Sequence, residues 1–320
     1  MIAKLLAAAF TALVVTLPAQ AQTYPSGPVR LIVAYSPGGT GDVVARIIAD
    51  KLSIALGQSV VVENRAGGSG AIGAQAVARA APDGLMLFLG QTGEMSINQH
   101  WLKGLAYDPD KDFEPIALGA IVPLGLVVPA KASYASMKEF YAALSTKKIT
   151  FASAGAGTPG FFAGELLKLK SKGDLTHVPY KGAGPALNDV IGEHVDFYFP
   201  GLPAAMPHVK SGTLKLLAVS SAKRSSAAPD VPTVAEATGI ENFDFTLWQG
   251  FFAPRGTPKP IIERLNKEIN AVLDQADVRA RLSAAGAEIV HMSSAEFAGF
   301  VQNESAKYLK IIKDTGVTAD

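Results

Sequence analysis

The sequence contains no cysteine. That excludes disulfides, cysteine-ligated metals, iron–sulfur clusters and thiol catalysis. Charge is sparse, at 18% Asp, Glu, Lys and Arg, and the signs balance at 29 basic against 28 acidic residues. A net charge this close to zero argues against nucleic acid or an anionic membrane as the main partner. Beyond residue 21, no apolar run approaches the roughly 20 residues that a membrane span needs. No G-x-x-x-x-G-K-[ST], G-x-S-x-G or H-E-x-x-H is present, which removes the sequence signs of a phosphate loop, a hydrolase elbow and a zinc protease helix. The five histidines are His100, His177, His194, His208 and His291. None has i,i+4 metal spacing, so each reads as a surface or packing residue. Serines are plentiful, but no base is marked for any of them. No metal and no cofactor are expected.

What is present begins with an export signal over residues 1–21. Lys4 gives a short positive start, residues 5–17 are apolar apart from Thr11 and Thr16, and Ala19-Gln20-Ala21 forms an A-x-A cleavage site. The signal does not end in cysteine, so no lipid anchor is expected. The absence of disulfides then fits a bacterial periplasm. A mature chain of about 300 residues buries about 75% of its unfolded surface, enough for stability without cross-links.

Strand-like and helix-like segments alternate along the chain, the pattern of a parallel α/β sheet. Two of the junctions are rich in Gly, Ser and Thr. Ser36-Pro37-Gly38-Gly39-Thr40-Gly41-Asp42 follows a strand at 29–35 and precedes a helix at 42–56. Ser153-Ala154-Gly155-Ala156-Gly157-Thr158-Pro159-Gly160 follows a strand ending at 152 and precedes a helix at 161–170. Such turns expose backbone N–H groups beside a positive helix end, where an anion can sit. The echo of strand, glycine turn and helix predicts two α/β domains, 22–123 plus 249–320 and 124–248, forming two jaws of a carboxylate clamp. Two crossings between the domains make a hinge, and ligands favour such clefts. Further strands are expected at 59–63, 85–90, 114–122, 125–128, 176–180, 195–199 and 214–219. Residues 91–113 read as irregular, 220–232 as a polar linker, and 258–273 and 294–312 as helices.

Candidate ligand contacts in the first jaw are Tyr35, Ser36, Gly38, Gly39, Thr40 and Asp42. Those in the second are Ser153, Ala154, Gly155, Gly157, Thr158 and Phe161, with Tyr198 and Trp248 nearby. Asp42 favours a structural role at the helix start with Arg46 as i+4 partner; alternatively it orients a loop amide or a bound water. Tyr35 and Phe161 flank the loops and can line a cleft or pack in a core. Two literal G-x-G-x-x-G matches, Gly68 to Gly73 and Gly155 to Gly160, lack the acidic residue that a dinucleotide's ribose requires about 20 positions later.

The chain resembles the Bug-type receptors, periplasmic solute-binding proteins of the tripartite tricarboxylate transporter family. The resemblance is carried by Pro37-Gly38-Gly39 with Asp42 and Arg46, by Val62-Glu63-Asn64-Arg65-Ala66-Gly67-Gly68, by Tyr107-Asp108-Pro109 with Asp112-Phe113, and by Val178-Pro179-Tyr180-Lys181-Gly182 with Pro185-Ala186. It ends with Pro229-Asp230-Val231-Pro232-Thr233-Val234-Ala235-Glu236 and Ala253-Pro254-Arg255-Gly256-Thr257-Pro258. It implies a two-domain Venus-flytrap fold of the periplasmic-binding-protein type. The implied ligand is a small carboxylate, held by amides and hydroxyls of the two loops with bridging waters. The implied partner is a two-subunit membrane permease, and the receptor is expected to be a monomer. Two departures stand out. Phe161 occupies a position where the family often has His, and residues 91–99 differ from the commoner Asn/Ser/Thr-His-rich version. Both tilt the expectation toward an aromatic or otherwise apolar acid over citrate. The competing readings are a sensory partner of a membrane kinase and a periplasmic enzyme acting on a carboxylated substrate.

Overall fold

A computed structural model describes residues 24–318; the export signal read at 1–21 lies outside the described residues. In chain order the strands are β1 Val29–Val33, β2 Val60–Asn64, β3 Met86–Gln91, β4 Phe113–Pro123, β5 Gly125–Pro129, β6 Lys148–Ser153, β7 Asp174–Pro179, β8 Phe197–Tyr198, β9 Leu214–Val219 and β10 Thr246–Pro254. They form two five-stranded sheets, in the orders β2-β1-β3-β10-β4 and β7-β6-β8-β5-β9. In the first sheet β1 is parallel to β2 and β3, while β10 is antiparallel to β3 and β4. In the second sheet β6 is parallel to β7 and β8, while β5 is antiparallel to β8 and β9. One plan is therefore built twice, as the echo of strand, glycine turn and helix anticipates.

The elements follow from local sequence. Val29-Arg30-Leu31-Ile32-Val33 is buried apart from Arg30, as a strand covered on both faces must be. The helix Thr40–Leu56 buries Val44, Ile47, Ile48, Leu52 and Leu56 along one stripe and ends at Gly57 in the left-handed region. In each sheet the strand order reverses around one strand, β1 in the first and β6 in the second. Such a switch point leaves a crevice beyond the carboxyl ends of the strands. The two glycine loops leave β1 and β6 at these crevices.

One segment differs from expectation, and two helices lie where the sequence reading assigned no element. Residues 91–113 hold a π-helical turn, Gly93–Ile97, and a short helix, Asn98–Trp101. Leu202–Lys210 is helical despite Pro203 and Pro207; Pro203, in the first turn, removes only a donor that has no intrahelical acceptor, whereas Pro207 lies inside the helix and costs it one bond. Ala276–Ala284 is helical with Val278 and Leu282 as its buried residues, too few for a periodic signal.

The chain passes between the sheets at Leu124, directly from β4 into β5, and returns through residues 220–245. Both passages meet at Ser220. Its N–H donates to Leu124 O at 2.9 Å, its Oγ accepts from Leu124 N–H at 3.1 Å, and its carbonyl accepts from Phe245 N–H at 3.0 Å. Its Oγ–H donates in turn to Phe245 O.

Candidate functional site

Both glycine loops run into helix N-termini without side-chain caps. Gly39 is the N-cap of Thr40–Leu56. Thr158 is the N-cap of the helix Pro159–Ser171, and its hydroxyl is engaged with Gly155 O at 2.8 Å. The first-turn N–H groups of a helix have no intrahelical acceptor, so these two ends offer donors and positive potential. Both face one cavity between the sheets, whose wall includes Gly39, Thr40, Gly41, Thr158, Pro159 and Gly160. In this closed arrangement the cavity is small, about 40 Å³, enough for a few waters. Among the described residues lining it there is no carboxylate, ammonium, guanidinium or imidazole.

The first helix starts two residues earlier than the sequence pattern indicates, which places Thr40 and Gly41 in its first turn. Gly39 N–H is spent on Ser36 O at 3.3 Å. Asp42 is buried, pairs with Arg46 at 2.8 Å and accepts from Gly38 N–H at 3.0 Å. It thus serves both roles weighed for it, ion-pair partner and holder of a loop amide. Burial pushes its carboxyl up, but the bonds from Arg46, Gly38 and Asn64 outweigh that and hold it below the usual range. Gly38 itself, at φ 77°, faces solvent.

Of the other expected residues, Tyr35, Ala154 and Tyr198 line the cavity. The Tyr198 hydroxyl has no hydrogen-bond partner among the described residues, and burial pushes its pKa up. Ser36 stands at the outer seam, where its N–H and Oγ both donate to Lys181 O, at 3.3 and 3.0 Å. Thr40 Oγ donates to Gly201 O at 3.4 Å. These bonds run from the first-sheet side to the second, so the two halves are closed on each other. Gly155 lines an open groove beside the cavity.

Four expected contacts lie elsewhere. Ser153 is fully buried, bonded to His177 Nε2 at 2.7 Å and accepting from Gly155 N–H at 3.1 Å. The base that sequence did not mark is therefore present, but Ser153 is buried and the pair lies outside the cavity wall, where the bond from Gly155 N–H lets it order the loop. Burial drives His177 down to about 4, which keeps it neutral. Gly157 packs against Trp101. Phe161 turns away from the cavity into an aromatic cluster, with ring centroids 5.4 Å from Trp101, 5.3 Å from Phe162 and 4.8 Å from His177. One helical residue is a 100° turn, so Pro159 and Gly160 face the cavity and Phe161 faces the core. An aromatic specificity written through Phe161 has no support in this geometry. Trp248 is fully buried against Phe252, Phe297 and Phe300; its neighbour Leu247 lines the cavity instead.

The sequence reading missed Gln91 and its neighbour Glu94. The π-helical turn folds the Glu94 carboxylate back so that Oε1 accepts from Gln91 N–H at 2.8 Å. Tyr35 O–H donates to Glu94 Oε2 at 2.9 Å. Glu94 is fully buried with no cation beside it, and desolvation raises its pKa to about 8. The departure of residues 91–99 from the family pattern was the available signal.

Two switch-point crevices closing on one cavity define a solute-binding protein of the periplasmic type. Residues 44–317 match the tripartite tricarboxylate transporter family receptor, TctC, and the chain belongs to that family. BugT of Bordetella pertussis is 35% identical over 302 residues, covering 93% of this chain and 92% of that protein. MatC of Rhodopseudomonas palustris, solved with malate bound, superposes with a TM-score of 0.85 at 34% identity, over 90% of this chain and 100% of that one. R. palustris Rpa4515, solved with adipate, gives 0.88 at 34% identity, over 92% and 99%. Among the described residues, no helix is long and apolar enough to cross a membrane.

Proposed function

We propose that the chain is an exported, non-enzymatic receptor that closes around a small organic carboxylate and delivers it to a two-subunit membrane permease. The moving parts are the divisions 22–123 plus 249–320 and 124–248, and the receptor works as a monomer. One observation carries this reading: two uncapped helix N-termini, one from each sheet, share a cavity whose wall has no charged side chain. Backbone amides hold an anion without burying a fixed cation, and the low dielectric of a closed cleft strengthens those bonds. Opening returns the anion to water, so release needs no chemical step. Malate and adipate in two relatives support a carboxylate here.

The test is thermal unfolding of the mature protein against a panel of mono-, di- and tricarboxylates. A ligand at 100 times its dissociation constant should stabilise by about 2.7 kcal/mol. No shift with any acid would remove the proposal. Turnover of a bound acid would move the protein to the enzyme class.

A further inference from the structure

The ends of β3 and β10 set two glutamines side by side. Gln91 and Gln249 are register partners of the antiparallel pair, exposed by only 4% and 0%. One hydrogen bond joins their amides, from Gln249 Nε2 to Gln91 Oε1 at 3.2 Å. The two remaining amide atoms, Gln91 Nε2 and Gln249 Oε1, are buried and have no partner among the described residues. Both converge on the α-carbon of Gly41. A Cβ built there would lie 2.8 Å from Gln91 Nε2 and 3.2 Å from Gln249 Oε1. Gly41 and Gln91 belong to the cavity wall and Gln249 stands directly behind them, so only a glycine at 41 leaves room for the amide pair beside the cavity.

A buried amide atom left unpaired carries its full desolvation penalty with no bond to offset it. Two such atoms together mark a place that a bound group completes. Turning both amides over keeps the bond between them and exchanges the free atoms, so the pair always presents one donor and one acceptor. A carboxylate satisfies only the donor. A hydroxyl, which both donates and accepts, satisfies both.

Building on the carboxylate-receptor reading, we infer that the Gln91–Gln249 amide pair reads a hydroxyl on the ligand. The helix ends hold the carboxylate, and the ligand class is a short hydroxycarboxylate. The Tyr198 hydroxyl, unpartnered on the opposite wall, bounds the same space. Glu94 acts as a positioning residue, because its carboxylate accepts from Gln91 N–H and fixes the strand end that carries the amide.

The experiment is isothermal titration of the mature protein with two matched pairs, malate with succinate and lactate with propionate. In at least one pair the hydroxy acid should bind about tenfold or more tighter than its deoxy partner, because a site built to bond a hydroxyl rejects the analogue lacking it. Gln91→Leu should collapse that preference to within about threefold, and Gln249→Leu should reduce it in the same direction. Equal binding of hydroxy and deoxy acids by the unaltered protein overturns the inference and leaves the carboxylate-receptor reading standing. A preference unchanged in a folded Gln91→Leu protein does the same. Binding of none of the four acids overturns the inference, and silence across the whole carboxylate panel removes the underlying reading too. If Gln91→Leu fails to fold, the ranking by the unaltered protein and Gln91→Met decide the matter.

Discussion

Gly184 offers a direct handle on closure. It is the second residue of the helix Ala183–Ile191, in ordinary helical conformation. A Cβ built on it would come well inside 3.0 Å of the Pro37 carbonyl oxygen, and meets no other residue within 4 Å. Pro37 belongs to the first glycine loop, across the seam. Gly184→Ala therefore acts on the contact between the halves and on little else. Forcing a methyl into a packed contact costs about 1–3 kcal/mol. With the halves apart, the methyl meets only its own helix, where alanine is favoured over glycine by about 0.5–1 kcal/mol. The free protein should keep or raise its melting temperature. Affinity for the tightest acid of the panel should fall about 5- to 150-fold, because a closed state made less populated taxes binding in proportion. Calorimetric titration and thermal unfolding of one preparation measure both quantities. Gly182→Ala is the contrast: at φ 151° alanine is strained whether or not the seam is closed, so stability and affinity should fall together. Undiminished affinity in a folded Gly184→Ala protein would refute the reasoning, since the bound state would not then contain this seam. So would a fall in the free protein's stability that tracks the fall in affinity.

Two further outcomes follow from buried groups. Glu94 is protonated more readily in the folded chain, at about 8, than at its ordinary 4.5. Its stabilising contribution is complete below pH 4.5 and is lost as pH rises to 8, a change on the order of 3 kcal/mol by pH 7. Urea unfolding should show Glu94→Gln gaining on the unaltered protein between pH 5 and 8; a constant difference would remove the argument. His177, depressed to about 4, works in the opposite direction between pH 4 and 6.5, but it is common to both proteins and cancels. Phe161→Ala should cost about 3–5 kcal/mol by emptying the space between Trp101 and His177, while the ranking of acids stays the same. A changed ranking with fold retained would put Phe161 back in the ligand site.

The glycine loops were legible because each local signal agreed: buried strand, side-chain-poor turn, amphipathic helix. Two near misses were errors of one or two residues, not of element. On β10 successive side chains point to opposite faces, and pairing with β4 sets Leu247 opposite Val122 and Trp248 opposite Ile121. Nothing local to residues 243–252 says which face looks into the cavity, so the aromatic was the natural choice and its neighbour the lining residue. Phe161 failed for the equivalent helical reason. Gln91 and Gln249 carry no periodic signal; they become a pair only through the adjacency of β3 and β10, strands separated by the whole second sheet. The Ser153–His177 bond likewise depends on β6 lying beside β7.

The meeting of both crossings at Ser220 has a mechanical meaning. Bodies joined at widely spaced points are held rigidly, whereas bodies pinned at one place are free to turn about it. Leu124, Ser220 and Phe245 are such a pin. If the halves open as proposed, this shared link would guide the bare backbone of Gly184 and Gly201 back to the Pro37 carbonyl and the Thr40 hydroxyl opposite. A membrane partner reading the outer surface would then sense how far the tongs have turned about that place, and so whether the grip is full.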